Sequence, residues 1–157
     1  MSHTDFTLFL LVVAVFLFSL FFSRFYIDGD QIPYFNAYKD VYGKGIFEGF
    51  SFYHYRITTR EPVHYIVVWL SSNLGFDKNV VMSVANSILV YLTMRVFLKW
   101  KVSIYIAVII VCTNYYFWVL YFAAERLKFA YIFLMLSFLY VERRKTSNFF
   151  AMISIFS

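Results

Sequence analysis

Apolar residues run along this chain in long blocks, broken by one extended polar stretch and a few short charged hinges. Residues 6–22 are apolar except for Thr7 and Ser19. Continued to residue 26, this block reaches the roughly 20 residues that a membrane-spanning helix needs. No Lys or Arg precedes it and no small-x-small cleavage site follows, so it reads as a retained first helix and not as a signal peptide. The polar stretch then fills residues 28–64. Pro33 suits the first turn of a helix, with Asp30 or Ile32 at its start. Tyr34, Tyr38 and Tyr42 recur every fourth residue, with Phe35 and Val41 beside them, which places an aromatic stripe on one face of a short interfacial helix. Gly43 and Gly45 end that helix. Residues 47–59 are aromatic and irregular and read as extended chain.

Glu61-Pro62 opens another helix, with proline near its start and an acid at the positive end of its dipole. The apolar run over residues 62–75 covers only about 20 Å at 1.5 Å per residue, against a hydrocarbon core of about 30 Å, and reads as half-inserted from the outer side. Residues 79–98, 102–123 and 127–141 read as full spans, separated by the Lys99-Trp100-Lys101 turn and the Glu125-Arg126 hinge. A further apolar segment starts at residue 148 and stops short of spanning length. The expectation is an all-α protein. It would be a polytopic transmembrane helix bundle with a long extracytoplasmic loop containing short amphipathic helices. Residues 1–157 would form one integral membrane domain, the N-terminal part of a longer protein. With the N-terminus cytoplasmic, Lys99, Lys101, Arg143, Arg144 and Lys145 all fall inside, and the polar stretch, Glu125 and Arg126 fall outside.

Composition supports the membrane reading. The chain is 62% hydrophobic and 24% aromatic, whereas soluble domains are about 45–50% apolar. The formal charge of +5 does not indicate nucleic-acid binding, because the basic residues flank apolar runs, where orientation signals and headgroup contacts fall. Cys112, the sole cysteine, lies in an apolar run and reads as a small buried hydrophobe.

The charged residues of the outer face suggest chemistry. Asp28 and Asp30 follow the first span. Arg56, Arg60, Glu61 and His64 lead into the half-inserted helix, and Glu125, Arg126 and Lys128 sit at a later hairpin. Carboxylates beside arginines form the set needed to move a sugar from a lipid pyrophosphate. The planar guanidinium neutralises phosphate oxygens of the leaving group, and a carboxylate or His takes the proton of the attacking hydroxyl. Each residue also has an ordinary reading. Asp30 is a helix cap. Arg60-Glu61 is an interfacial ion pair worth under about 1 kcal/mol if exposed. The tyrosine stripe is packing, and Arg126 snorkels to headgroups. His54 and His64 lack a second His or Cys at ligand spacing, so no metal site is expected. No phosphate-binding glycine loop, zinc signature or nucleophile elbow is visible.

Asp30-x3-Tyr34-x3-Tyr38, followed by Glu61-Pro62-Val63-His64-Tyr65, resembles the EpsG family of bacterial membrane proteins, which is related to the Wzy-type O-antigen and exopolysaccharide polymerases. Ala124-Glu125-Arg126-Leu127-Lys128-Phe129-Ala130 resembles that family's S-x-R-x3-A pattern, departing at the Ser position and in the Glu before Arg. The resemblance implies polymerisation of undecaprenyl-pyrophosphate-linked oligosaccharide repeat units at the outer face of the bacterial inner membrane. It implies no cofactor and no nucleotide sugar. Its implied partners are the lipid-linked glycan, the bilayer and a chain-length regulator protein, with no nucleic acid. On this reading Arg60 and Arg126 contact pyrophosphate, Glu61 orients Arg60, and Asp30 positions or deprotonates the acceptor hydroxyl. Arg56, Tyr34, Tyr38, His64 and Lys128 then bind substrate. Two alternatives are a membrane-embedded enzyme adding one sugar from a polyprenyl phosphate, and a transporter or flippase component. The latter would place polar residues at the bilayer midplane, where these spans hold few, chiefly Asn86 and Asn114.

Overall fold

The computed structural model describes residues 3–25, 31–58 and 61–157, and among these the regular structure is helical throughout. The first helix, α1 (His3–Phe22), has no glycine or proline to interrupt it and buries only Leu8 and Ser19. Its large side chains, Phe9, Leu17 and Phe21 among them, face outward, as on a helix surrounded by lipid. It packs antiparallel against α5 (Lys78–Lys99) through small polar residues. Asn86 Nδ2 donates to Ser19 Oγ (2.9 Å) and Ser87 Oγ donates to the Val12 carbonyl (3.4 Å). In lipid, apolar contact alone does not drive helix association, and such close approaches and hydrogen bonds take over part of that role.

Asp77 starts α5 as its N-cap, accepting from the amides of Asn79 (2.8 Å) and Val80 (3.3 Å). Alongside it and parallel to it lies α8 (Glu125–Leu139). Lys78 meets Glu125 at one end (2.6 Å), and Lys99 Nζ donates to the Leu139 carbonyl (2.8 Å) at the other. The chain returns between them as α6 (Ile104–Thr113) and α7 (Tyr115–Phe122), which are bent by 62°. This corrects the reading of residues 102–123 as one uninterrupted helix. Asn114 is the cause: its side chain accepts from the Tyr116 amide (2.9 Å), so it caps a new helix instead of continuing the old one. Cys112, beside this bend, is exposed and not buried as expected. The last helix, α9 (Arg144–Ile155), lies on α8, where Ser154 Oγ donates to the Ala130 carbonyl (2.9 Å).

Three short helices, α2 (Gln31–Val41), α3 (Ile46–Ile57) and α4 (Pro62–Asn73), pack together near the Lys78 end of α5. The helix α3 corrects the expectation of extended chain over residues 47–59. Gly49, Tyr53 and Ile57 recur every fourth residue and are its buried face. Gly49 lets α3 approach α4 closely: a Cβ there would stand 2.9 Å from the Tyr65 hydroxyl and 3.3 Å from Trp69 Cδ1. Neither ring is at liberty to retreat. Tyr65 donates to the Ile46 carbonyl, and Trp69 Nε1 donates to the Lys44 carbonyl (2.9 Å). Chain exit from α4 uses Gly75 at φ +74°, with Phe76 N donating to Ser71 O (2.9 Å), a Schellman-type ending. Of the tyrosine stripe on α2, Tyr34 and Tyr38 are buried and Tyr42 is exposed.

Among the described residues two helices, α1 and α5, are long and apolar enough to cross a membrane, and three such segments exist if the bent α6–α7 pair counts as one. The 15 residues of α8 reach about 22 Å at 1.5 Å per residue. The bundle has two distinct ends. Thr4 and Asp5 of α1, Arg95 and Lys99 of α5, and Tyr140 surround a cavity of about 710 Å3 at one end, while Gln31, Lys78 and Glu125 meet at the other.

Replacing Gly49 by alanine is expected to force the α3–α4 contact apart and to cost about 1–3 kcal/mol, as overpacking of a close contact does. Thermal unfolding of the detergent-purified protein checks this, with Gly49→Ala melting below the wild type.

Candidate functional site

Between α7 and α8 the chain breaks for two residues, Ala123 and Ala124. A break leaves the last carbonyls of one helix and the first amides of the next without helical partners. Side chains from three helices fill the gap on the α7 side. The Tyr121 carbonyl accepts from Asn86 Nδ2 (3.1 Å) and Lys128 Nζ (3.3 Å), and the Phe122 carbonyl accepts from Gln31 Nε2 (3.0 Å). On the α8 side no side chain caps the helix in the usual way; instead Glu125 occupies its first position. A cation near the end of α7 and a carboxylate at the start of α8 each suit the local helix dipole.

The Glu125 side chain is only 3% exposed. Its Oε1 lies 2.6 Å from Lys78 Nζ, which also donates to Gln31 Oε1 at 2.5 Å. This network ties together the starts of α2, α5 and α8. Removing one charged member would strand the other out of water, at a cost of about 3–5 kcal/mol.

The second oxygen of Glu125 faces His64 Nε2 at 3.9 Å, and neither atom has a hydrogen-bond partner among the described residues. On the far side of the ring, His64 Nδ1 is 2.7 Å from the Tyr53 hydroxyl. Burial above all, and then the cations Arg126, Lys128 and Lys78, pull the His64 pKa down to about 3, so the ring is neutral near pH 7. With the ring proton on Nε2, Tyr53 donates to Nδ1 and the N–H points towards the Glu125 carboxylate, so this tautomer suits both neighbours.

Arg126, the next residue, turns to a different face. Its Nε donates to the Tyr34 hydroxyl (2.8 Å) and its Nη1 to Glu61 Oε1 (3.0 Å). Together with Ala124, Leu127 and Ala130 these three side chains line a cavity of about 280 Å3. The Arg126 and Glu61 side chains are 32% and 27% exposed, so the pair is within reach of a solute. An ion pair this accessible contributes about 0–1 kcal/mol to stability. Burial raises the Glu61 pKa above the ordinary carboxylate value, and Arg126 opposes that rise.

The structure therefore brings Tyr34, Glu61, His64, Arg126 and Lys128 into one neighbourhood. His64 and Lys128 lie behind the cavity and are fully buried. Tyr38 borders a separate surface groove with Phe35 and Lys39. Arg56 is paired with Asp40 (2.5 Å) on the exposed side of α2 and α3. Asp28, Asp30 and Arg60 lie outside the described residues. Glu61, expected to orient Arg60, is seen paired with Arg126. Gln31 and Lys78 are not singled out by sequence reasoning, which also treats Glu125 only as part of the outer-face set and as a departure from a motif. The available signal was a lysine directly after an N-capping aspartate and an acid opening an apolar helix, both bordering membrane-like sequence. Among the described residues, no group of three or more His, Cys, Asp or Glu side chains is placed to hold a metal.

Because the folded protein holds His64 neutral far below the pKa of an unfolded histidine, the unfolded chain binds the extra proton first. Stability is therefore full above about pH 6.5 and falls as pH drops towards the folded value. Thermal unfolding measured between pH 7.5 and 5 should show this loss, and His64→Gln should flatten the slope.

The family model described as EpsG matches residues 7–156, a range that takes in the α7–α8 break and every residue of the buried network. Comparison with curated proteins and with solved structures gives no match in either set. On the strength of a match over most of its length, this chain belongs to the EpsG family.

Proposed function

We propose that this chain polymerises undecaprenyl-pyrophosphate-linked oligosaccharide repeat units at the outer face of the bacterial inner membrane. The observation that carries the reading is the Arg126 guanidinium, held between Tyr34 and Glu61 at an accessible cavity of about 280 Å3. EpsG family membership is consistent with a role in making lipid-linked glycan polymers.

In the proposed reaction an acceptor hydroxyl attacks the anomeric carbon of the donor repeat unit. The C–O bond to undecaprenyl pyrophosphate breaks, and its electron pair leaves on the pyrophosphate oxygen. Arg126 would neutralise that developing charge, which a planar, permanently charged fork does better than an ammonium group. The attacking hydroxyl must lose its proton. Glu61 suits this role, because its raised pKa makes it a better base than an ordinary carboxylate and its Oε2 has no hydrogen-bond partner among the described residues. Asp30 is a second candidate for that proton and Arg60 a second contact for the phosphate, each adjacent in sequence to a residue of the assembled network. A nearly wholly apolar cavity of about 220 Å3 between α1 and the α6–α7 bend, lined by Leu11, Val15, Phe18 and Trp118, offers room for part of a prenyl chain. The N-terminus would lie in the cytoplasm, since Arg95 and Lys99 line the same cavity as Thr4 and Asp5.

Cells carrying Arg126→Ala in the chromosomal gene should lose the polymer ladder and accumulate single repeat units, with polymer down about 100-fold or more. Arg126→Lys should restore little, because a point charge cannot reproduce the fork. A full ladder from Arg126→Ala, with the protein present in the membrane, refutes the proposal. A product carrying one added sugar in place of the ladder reassigns the site to single-sugar transfer.

The base assignment has its own test. As pH falls through the raised Glu61 pKa, the carboxylate is protonated and can no longer accept the hydroxyl proton, so the polymerisation rate should fall on the acid side. Glu61→Gln should be slow at every pH and should lack that acid limb.

A further inference from the structure

Glu125 and Arg126 are consecutive residues on the first turn of α8, so their side chains leave the helix about 100° apart. One enters the buried network and the other faces the cavity. The turn that carries both has no side-chain cap of the ordinary kind. What fixes it is the contact of Glu125 with Lys78 (2.6 Å), itself held by Gln31 (2.5 Å), whose amide reaches back to the Phe122 carbonyl (3.0 Å) just before the break. The two faces are also joined from behind: His64, opposite Glu125, packs edge-on against Tyr34 at 5.5 Å between ring centroids, and Tyr34 holds Arg126 Nε. A buried ion pair is a poor way to gain stability, since apolar residues of similar size serve as well or better. Its use here is geometric.

From this we infer that Lys78, Glu125 and Gln31 are positioning residues for Arg126, setting the direction and depth at which its guanidinium meets the anionic leaving group. The inference rests on the reading of Arg126 as a pyrophosphate contact. None of the three need touch substrate. They act by holding the start of α8 against α5 and α2, so that a displacement of the turn moves the guanidinium away from Tyr34 and Glu61.

The test exploits the replaceability of a buried pair. The double variant Lys78→Met/Glu125→Leu removes both charges together and leaves neither stranded. Membrane level, helix content and thermal unfolding should stay near wild type, while polymer falls about tenfold or more, the loss expected when a positioned charge shifts by about an ångström. The same double change made on Arg126→Lys should cause little further loss, because the residue it positions is already compromised. A merely structural role would lower activity by the same factor in both backgrounds. Gln31→Leu provides a milder second variant, which removes the hydrogen bonds on Lys78 and on the Phe122 carbonyl while leaving the ion pair intact. It should reduce polymer by about threefold in the wild-type background and not in Arg126→Lys. A full ladder from whichever of these variants folds overturns the inference, as do equal losses in the two backgrounds. Neither result touches the assignment of Arg126, which fails separately if Arg126→Ala makes a full ladder.

Discussion

Lys78 and Glu125 form an ion pair out of water at the point where three helices begin, and the placement of the whole site follows from it. A carboxylate as buried as Glu125 needs a cation within hydrogen-bonding distance. Lys78 can supply one only if α5 starts beside α8, and Gln31 can share that ammonium only if α2 starts there too. The short helices α2 to α4 are therefore not a loosely tethered loop. Their arrangement is coupled to the bundle through one end of α2, through the packing of His64 on Phe129 of α8 and through Glu61 on Arg126. The break between α7 and α8 is what makes the junction possible, because it opens carbonyls that Asn86, Lys128 and Gln31 then satisfy.

The two ion pairs of this junction differ in environment, and the difference separates their roles. Lys78–Glu125 is sealed, so its geometry is strictly held and its cost of disruption is high. Arg126–Glu61 is about one-third exposed and contributes little to stability. A buried pair at the first turn of α8 and an accessible pair beside a cavity thus lie on adjacent residues of one helix, which is the arrangement the proposed anion contact uses. The neutral His64 adds no charge and packs edge-on against Tyr34 while facing Glu125.

Much of this was legible in the sequence where the information is local. The apolar blocks of α1 and α5, Pro33 and Pro62 near the starts of α2 and α4, and the glycines that end α2 and α4 follow from periodicity and turn chemistry. Glu61 and Arg126 stood out because charges beside apolar runs require an explanation. Other features were hidden for definite reasons. The residues of α3 looked irregular because aromatics crowd both faces, although Gly49, Tyr53 and Ile57 already mark its buried side. Asn114 reads equally as a polar residue within a span or as a cap, and only the surrounding packing decides. Lys78 and Glu125 are 47 residues apart, so nothing local announces the pair; each alone looks like a solvated hinge charge. Arg60 and Glu61 are neighbours in sequence, which favoured pairing them, yet the partner seen for Glu61 comes from α8, far along the chain.

The claim that most of this depends on is that Arg126 marks an anion site for a lipid pyrophosphate. The most direct measurement is the affinity of the full chain, in nanodiscs, for undecaprenyl pyrophosphate, comparing wild type, Arg126→Ala and Lys44→Ala. Lys44 is an exposed cation paired with Glu48 on the helix surface and serves as the control for general charge. A charge-assisted contact worth about 1.5–3 kcal/mol corresponds to a loss of about tenfold or more. The account predicts that loss for Arg126→Ala and an unchanged affinity for Lys44→Ala. Equal affinities for wild type and Arg126→Ala would contradict it.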